Sequence, residues 1–258
     1  MRITGTLVAP EHAAHHTDYT PRLRRDAATI ATWLRTTISR PEPRLGRRGP
    51  ICPYMPAALD TEAVTLRFHY GKSGENRRLL LKVLQRELGL FAHDTPLRED
   101  SLAVDLRSVL VVLPDTTAAG WAVMDDLHGD LKNVAVRSGL MIGQFHPSCD
   151  ERAVHNSGFA VSRAPLGLFA IRRMAPHDLV FLHQHPVWFA AYQRRFDRAW
   201  RDGRLRDRQL RDVYDLAAGR HGFHALAPSP PGRGADPRFG GRWSLASANP
   251  STRCLEDS

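Results

Sequence analysis

The chain has 258 residues, of which 42% are hydrophobic and 24% charged, and its formal net charge is +9, a composition typical of a folded globular protein with a basic surface. The basic residues are nearly all arginine and alternate with acidic residues, and no helix-turn-helix, zinc-finger or aromatic–basic pattern accompanies them, so we do not expect nucleic-acid binding. No apolar run approaches the roughly 18 residues that cross a bilayer, the N-terminus lacks the apolar segment of a secretory signal, and the three cysteines are irregularly spaced, so we expect a cytoplasmic protein without a disulfide framework or membrane association.

The first and last segments are predicted to lie outside the folded domain. Residues 1–22 show little periodicity and are predicted to form a flexible arm. Residues 223–258 are rich in proline, glycine and serine, which is typical of a disordered tail. The folded domain is therefore expected to span residues 23–222.

The first half of this domain is predicted to contain two helices and two strands. Residues 24–39 place apolar side chains at helical spacing. Residues 63–70 alternate β-branched and aromatic residues with polar ones, which predicts a strand. Residues 77–89 predict a helix that stops at Gly89, and residues 108–114 form a short apolar run that predicts a buried strand.

The second half is predicted to contain the remaining helices and strands of a mixed sheet. A helix capped by Thr116 or Thr117 is predicted to end at Gly139, followed by strands over 140–145 and 166–173, a helical segment over 178–201 that breaks before Pro186, and a last helix over 206–218. The strand–helix–strand order of residues 108–145 would allow a parallel pairing. Because the elements do not repeat strictly, we predict a single α+β domain with a mixed β-sheet packed by helices.

Several common enzyme motifs are absent from the sequence. No G-x-G-x-x-G follows a predicted strand, and "GKSG" at residues 71–74 lacks the first glycine of a Walker A motif. There is also no G-x-S-x-G, C-x-x-C or H-E-x-x-H pattern. These absences argue against the commonest nucleotide-binding, serine-hydrolase and zinc-dependent classes.

The segment "IGQFHPSCDERAVHNSGF", residues 142–159, contains the main candidate site. It follows a predicted strand, where loop residues line a crevice of an open sheet, and it carries His146, Cys149 and His155. The H-x2-C-x5-H spacing lacks a fourth zinc ligand, so structural zinc is the least favoured interpretation. A haem iron needs only one or two protein ligands, which either histidine or the cysteine thiolate would supply. Alternatively, the histidines only form hydrogen bonds to the backbone.

Arginines after this segment form the second part of the candidate site. Arg163 is predicted to lie on a loop, and at most one of Arg172 and Arg173 faces a pocket, because neighbours on a strand point to opposite faces. A guanidinium group binds a carboxylate or a haem propionate through two hydrogen bonds, although a surface ion pair is the alternative. We predict His146, His155 and Arg163 as catalytic residues, these three with Arg172 as cofactor-binding residues, and the two histidines as metal ligands.

Short motifs along the chain carry a family resemblance. The stretches "ATWL", "ICPYMP", "GQFHP", "HNSGFAVSRAPLGLFAIRRM" and "HDLVFL", over residues 27–200, resemble bacterial domains of unknown function of the DUF6875 type. A more distant likeness is to the DUF1415 type, from which the chain departs at Tyr54 and Gly167. The C-P turn, the histidine- and arginine-bearing loop and the closing helix are also similar to the YqcI/YcgG family, some members of which look like haem-dependent oxygenases of natural-product pathways.

Two hypotheses of function follow from the residues and from these resemblances. The first is a haem-dependent oxidoreductase or oxygenase that acts on a small metabolite in a biosynthetic pathway, with His146 or His155 as the axial ligand. The second is a non-catalytic accessory protein that binds a small molecule or a partner. Cofactor-free acid–base catalysis by His146, His155 or Cys149 is a third possibility.

Overall fold

A five-stranded mixed sheet forms the centre of the structure, a computed structural model that describes residues 7–8, 20–95, 102 and 104–223. None of the described helices is both long and apolar enough to span a membrane. The elements are β1 Leu7–Val8, α1 Pro21–Trp33, a π-helical turn Leu34–Ile38, a 3-10 turn Pro43–Leu45, α2 Met55–Asp60, β2 Val64–Phe68, a 3-10 turn Lys72–Glu75, α3 Arg77–Asp94, β3 Ser108–Leu113, α4 Ala118–Arg137, β4 Leu140–Phe145, β5 Arg152–Ala153, β6 Asn156–Ala160, β7 Gly167–Arg173, a 3-10 turn Pro176–Asp178, α5 Leu179–Leu182, α6 Pro186–Arg201 and α7 Arg208–His221.

The strand order is β1-β2-β3-β7-β4. β2 and β3 pair in parallel, whereas β7 is antiparallel to both β3 and β4. β3 and β4 therefore run in the same direction without pairing, and the parallel pair that residues 108–145 would allow is not formed because β7 lies between them. β2, β3 and β4 all end at one edge of the sheet. The predicted α+β class with a mixed sheet is confirmed.

Helices pack against both faces of the sheet. α1 and its π-helical continuation cover one face, where Leu34 packs in a buried cluster with Leu66. α3 and α4 cover the other face, where Leu84 packs with Val111. α5, α6 and α7 form a further layer around buried aromatic residues that include Trp200. α4 lies beside β4, where Leu131 and Ile142 share the same buried cluster.

The predicted end of α3 at Gly89 is wrong, because the helix continues to Asp94. Leu88 and Phe91 are both buried on the face that packs against the sheet. A glycine within a helix costs about 1 kcal/mol relative to alanine, which burial of a phenylalanine side chain, at about 1.5–3 kcal/mol, offsets. Tertiary packing therefore outweighs the local preference at this position.

The terminal segments lie mostly outside the described residues. Within the predicted arm, Leu7–Val8 form an edge strand that pairs with β2, an element too short to produce a periodic pattern. α1 begins at Pro21, earlier than predicted, and the hydroxyl of Thr20 accepts a hydrogen bond from the N–H of Leu23 over 3.2 Å. The predicted tail, apart from Phe223, lies outside the described residues.

A small hairpin, β5–β6, occupies part of the segment between β4 and β7 where the sequence predicts a loop. Ala153 pairs with Asn156 across it. The hairpin lies against the 3-10 turn near residue 44, because the side chain of Asn156 donates to the carbonyl of Arg44 over 2.7 Å and the Arg44 guanidinium lies 4.5 Å from the ring centroid of Phe159. The hairpin carries His155 at its tip.

Candidate functional site

His146 lies directly after β4, at the edge where β2 and β3 also end. Its side chain is buried, with 1% of the residue exposed. The imidazole is nearly parallel to the indole of Trp121 on α4, with ring centroids 5.7 Å apart. The main-chain carbonyl of His146 accepts hydrogen bonds from the N–H groups of Cys149 and Ala164 over 3.1 and 3.3 Å. Both the ring and the backbone of His146 are therefore held in place.

Both ring nitrogens of His146 have polar neighbours. Nε2 lies 3.0 Å from Oδ1 of Asp125 on α4, and Nδ1 lies 3.4 Å from Oγ of Ser148. The amide of Gln144 donates to the same Asp125 oxygen over 3.4 Å. The Asp125 side chain is 49% exposed, so it connects a buried imidazole to the protein surface. A carboxylate on one ring nitrogen fixes the orientation of the imidazole.

Cys149 completes a group of three side chains that could bind a metal ion. Its thiol is buried, and Sγ, a ring nitrogen of His146 and a carboxylate oxygen of Asp125 all lie within 4.8 Å of one another. Burial raises the pKa of the Cys149 thiol to about 11, so the thiol of the metal-free protein is neutral. A tetrahedral ion with bonds of about 2.0–2.3 Å would place its ligand atoms about 3.5 Å apart. The longest of the three separations would therefore shorten by up to about 1 Å around an ion, whereas Nε2 of His146 and Oδ1 of Asp125 are already 3.0 Å apart.

One face of α4 carries the polar residues that adjoin β4 and the loop after it. Trp121, Asp125, His128 and Lys132 follow one another at spacings of four, three and four residues, so they share one side of the helix. Nε2 of His128 lies 3.2 Å from the carbonyl oxygen of Ile142 in β4. Burial lowers the pKa of His128 to about 4, so its imidazole is neutral at physiological pH. This side of α4 thus adjoins β4 and the loop after it, with Asp125 half exposed where the two meet.

His155 and Arg163 make their contacts with other elements than α4. A Cβ added to Gly46 would lie 2.7 Å from the carbonyl oxygen of His155, so the hairpin tip packs closely against the segment before α2. Burial and the charge of Arg47 lower the pKa of His155. The carbonyl of Arg163 accepts a hydrogen bond from the indole of Trp33 over 3.1 Å, while its side chain is exposed. The backbone of Arg163 also forms a parallel β-bridge with His146, so Arg163 adjoins the candidate site through its main chain. The tip of the hairpin instead holds His155 against Gly46 and Arg47.

Arg172 and Arg173 point to opposite faces of β7, as their adjacent positions predict. Arg172 donates to both carboxylate oxygens of Asp178 over 2.7 and 2.6 Å. Arg173 instead donates to the main-chain carbonyls of Ala92, over 2.9 Å, and Thr95 at the end of α3. Arg172 also pairs in register with the first residue of β3, which places it at the opposite edge of the sheet from His146.

Asp125 is the residue of this group that sequence reasoning missed. It precedes His146 by 21 residues and lies on a helix whose apolar positions dominate the pattern. The stripe from Trp121 to Lys132 could have indicated Asp125 from the sequence. Asp125 and Lys132, one on each side of His128, are titratable and share the helix face that meets β4. Such a stripe indicates a site only after the helix has been placed beside the strand.

The structure defines an α+β domain that carries a buried histidine, a buried cysteine and a half-exposed aspartate at one edge of its mixed sheet. Residues 27–207 match the family described as domain of unknown function (DUF6875), and the chain belongs to this family. This confirms the first of the three resemblances, and the likenesses to the DUF1415 and YqcI/YcgG families stay predictions. No curated protein and no solved structure matches the chain.

Proposed function

We propose that Asp125, His146 and Cys149 bind a transition-metal ion and that the chain is a metal-dependent oxidoreductase acting on a small metabolite. The observation that carries the proposal is the approach of oxygen, nitrogen and sulfur donors to within 4.8 Å of one another. Three protein ligands leave a coordination position for water or substrate, as in catalytic metal sites. The half-exposed carboxylate marks the side from which a ligand would reach the ion.

Cys149 distinguishes a metal site from a simple aspartate–histidine hydrogen bond. The contact between Asp125 and His146 needs no metal ion to explain it, because a carboxylate oxygen 3.0 Å from an imidazole nitrogen forms a good hydrogen bond. The thiol, by contrast, makes no hydrogen bond to Asp125 or His146; it donates weakly to the carbonyl of Gln144 at 4.0 Å and accepts from the main-chain N–H of Glu151. Metal binding deprotonates a coordinating thiol, which would convert this neutral group into a strong ligand.

The chemistry of the donors limits which ions fit. Imidazole and thiolate together suit zinc, iron and copper rather than magnesium or calcium. A redox-active ion at this position would supply electron transfer or activation of dioxygen or peroxide. The oxidoreductase class and the small-metabolite substrate rest on the resemblance to the YqcI/YcgG family, and the metal ligands rest on the geometry.

The residues predicted to hold haem do not fit one haem site in this arrangement. Both nitrogens of His146 already face polar groups, on Asp125 and Ser148. Arg172 is paired with Asp178 at the other edge of the sheet. Haem binding stays a prediction from the resemblance, and the absence of a Soret band after haem titration would count against it.

Acid–base catalysis without a metal is the second candidate, and the Asp125–His146 hydrogen bond favours it. An imidazole oriented by a carboxylate is a common proton acceptor in enzymes. This alternative needs His146 and Asp125 but does not need Cys149. The contribution of Cys149 to metal affinity therefore separates the two candidates. If the chain is an accessory protein without catalytic chemistry, metal affinity should not depend on Asp125, His146 or Cys149.

Calorimetric titration of the metal-free protein with Zn²⁺ tests the proposal. We expect one ion per chain, and an affinity at least about tenfold lower in Asp125→Asn, His146→Gln and Cys149→Ser. The matched controls are Asp126→Asn, His155→Gln and Cys52→Ser, which change the same residue types outside the group. Absence of zinc binding, or equal affinity in the three site variants and the wild type, would overturn the metal proposal.

A further inference from the structure

Lys132 lies on the same side of α4 as Asp125, two helical turns further along. Its ammonium nitrogen is 4.2 Å from the ring centroid of Trp188 on α6, at a distance typical of a cation–π contact. The indole N–H of Trp188 donates to Asn133 over 2.7 Å, and the imidazole of His185 stacks on the indole with centroids 4.6 Å apart. The aromatic surface under Lys132 is therefore fixed on two sides.

The charge of Lys132 is partly removed from water without a paired carboxylate. Among the described residues no ion pair includes Lys132, and its side chain is half-buried. Burial lowers the pKa of Lys132, and the negative charges of Glu151 and Asp178 oppose this shift. Glu151 lies on the exposed loop after His146. Lys132 is thus a cation that a small anion would neutralise better than the protein does.

We propose that Lys132 and Trp188 form the anion-binding part of the substrate site, and that the substrate carries a carboxylate. The inference rests on the proposed metal group at Asp125, His146 and Cys149, which would hold the other end of the substrate. Seven residues separate Asp125 from Lys132, and seven residues of α-helix span about 10 Å. A molecule no longer than about three extended amino-acid residues bridges that distance.

The charge of Glu151 provides a test in which two substitutions should change anion affinity in opposite directions. This negative charge acts on Lys132, because it opposes the lowering of the Lys132 pKa by burial. In the unliganded protein Glu151 therefore competes with an incoming carboxylate for Lys132. Removal of the Glu151 charge should strengthen anion binding, whereas removal of the Lys132 charge should weaken it.

The experiment follows the total tryptophan fluorescence during titration of the metal-free protein with glutarate, with neutral glutaramide as the control ligand. We expect a saturable change with glutarate only, at least about tenfold weaker binding in Lys132→Gln, and tighter binding in Glu151→Gln. Lys82→Gln, which changes an exposed lysine on α3, should bind as the wild type does, and Trp188→Phe should remove the signal. Calorimetry of the same variants checks the affinities.

Three results would overturn the anion site: no saturable binding of glutarate to the wild type, equal affinity in Lys132→Gln and the wild type, or equal losses in Lys132→Gln and Lys82→Gln. Should Lys132→Gln fail to fold, Glu151→Gln decides alone, and unchanged or weaker binding of glutarate contradicts the proposal. Zinc titration of Lys132→Gln keeps the two proposals separate. If the wild type binds zinc but not glutarate, only the anion site is rejected. If it binds glutarate but not zinc, only the metal group is rejected.

Discussion

The two edges of the sheet bury charged side chains in different ways. At the edge near the start of β3, Arg172 makes two hydrogen bonds to Asp178, whose carboxylate also accepts the N–H of Ala175 over 2.7 Å. At the edge where β4 ends, Asp125 is half exposed and the Cys149 thiol has only main-chain hydrogen-bond partners among the described residues, the carbonyl of Gln144 and the N–H of Glu151. The first group is satisfied within the protein and stabilises the fold. The second retains unused ligand atoms, which is why we place function there.

The largest expected effect on stability comes from removing the ion pair between Arg172 and Asp178. Removal of one partner from a buried ion pair leaves the other uncompensated, so Arg172→Met should lower the free energy of unfolding by about 3 kcal/mol. Chemical denaturation measures this loss. Arg163→Met, on an exposed side chain, should change stability by less than about 0.5 kcal/mol. A loss below about 1 kcal/mol in Arg172→Met would show that Asp178 is not held as the structure indicates.

The loss of stability at low pH should depend on His128, which lies on α4. The pKa of His128 is about 4 in the folded protein and 6.5 for an unperturbed histidine, so the unfolded chain binds more protons between these values. The free energy of unfolding therefore falls as pH is lowered from about 6.5 to about 4, by about 3 kcal/mol at about 1.4 kcal/mol per pH unit.

Denaturation at several pH values compares the wild type with two histidine variants. His128→Gln should lose this part of the pH dependence, because glutamine does not titrate. His93→Gln, at an exposed position, should keep it. Identical pH profiles for His128→Gln and the wild type would mean that His128 is not desolvated against β4.

The smallest expected effect on stability belongs to the proposed metal group. Asp125→Asn removes a half-exposed charge, so the free energy of unfolding of the metal-free protein should change by no more than about 1 kcal/mol. The same variant should lose at least about tenfold in zinc affinity. A large loss of stability with unchanged zinc affinity would assign Asp125 to the fold rather than to a site.

The sequence predicts individual helices and strands better than it predicts which of them pack side by side. The β-branched run of β3 and the apolar spacing of α1 lie within single segments, so local patterns suffice for them. The position of β7 between β3 and β4 depends on pairs such as Val111 with Phe169, which are far apart in the chain. The extension of α3 beyond Gly89 likewise depends on a buried contact of Phe91 that no local signal contains.

The same limit applies to the candidate site. His146 and Cys149 could be selected because they lie three residues apart after a predicted strand. Asp125 could not, since the packing of α4 against β4 is what brings it to His146. Proximity in sequence also suggested His155, which the β5–β6 hairpin places beside Gly46 instead. Side chains that meet through tertiary packing are therefore found only after the sheet order is known.

Titration of the metal-free protein with Co²⁺, followed by its absorption spectrum, tests the central claim most directly. A cobalt ion bound by the Cys149 thiolate produces a sulfur-to-metal charge-transfer band in addition to ligand-field bands. We predict that this band appears in the wild type and in Cys52→Ser and is lost in Cys149→Ser. A wild-type spectrum without the band, or a band that survives in Cys149→Ser, would contradict the metal site at the end of β4.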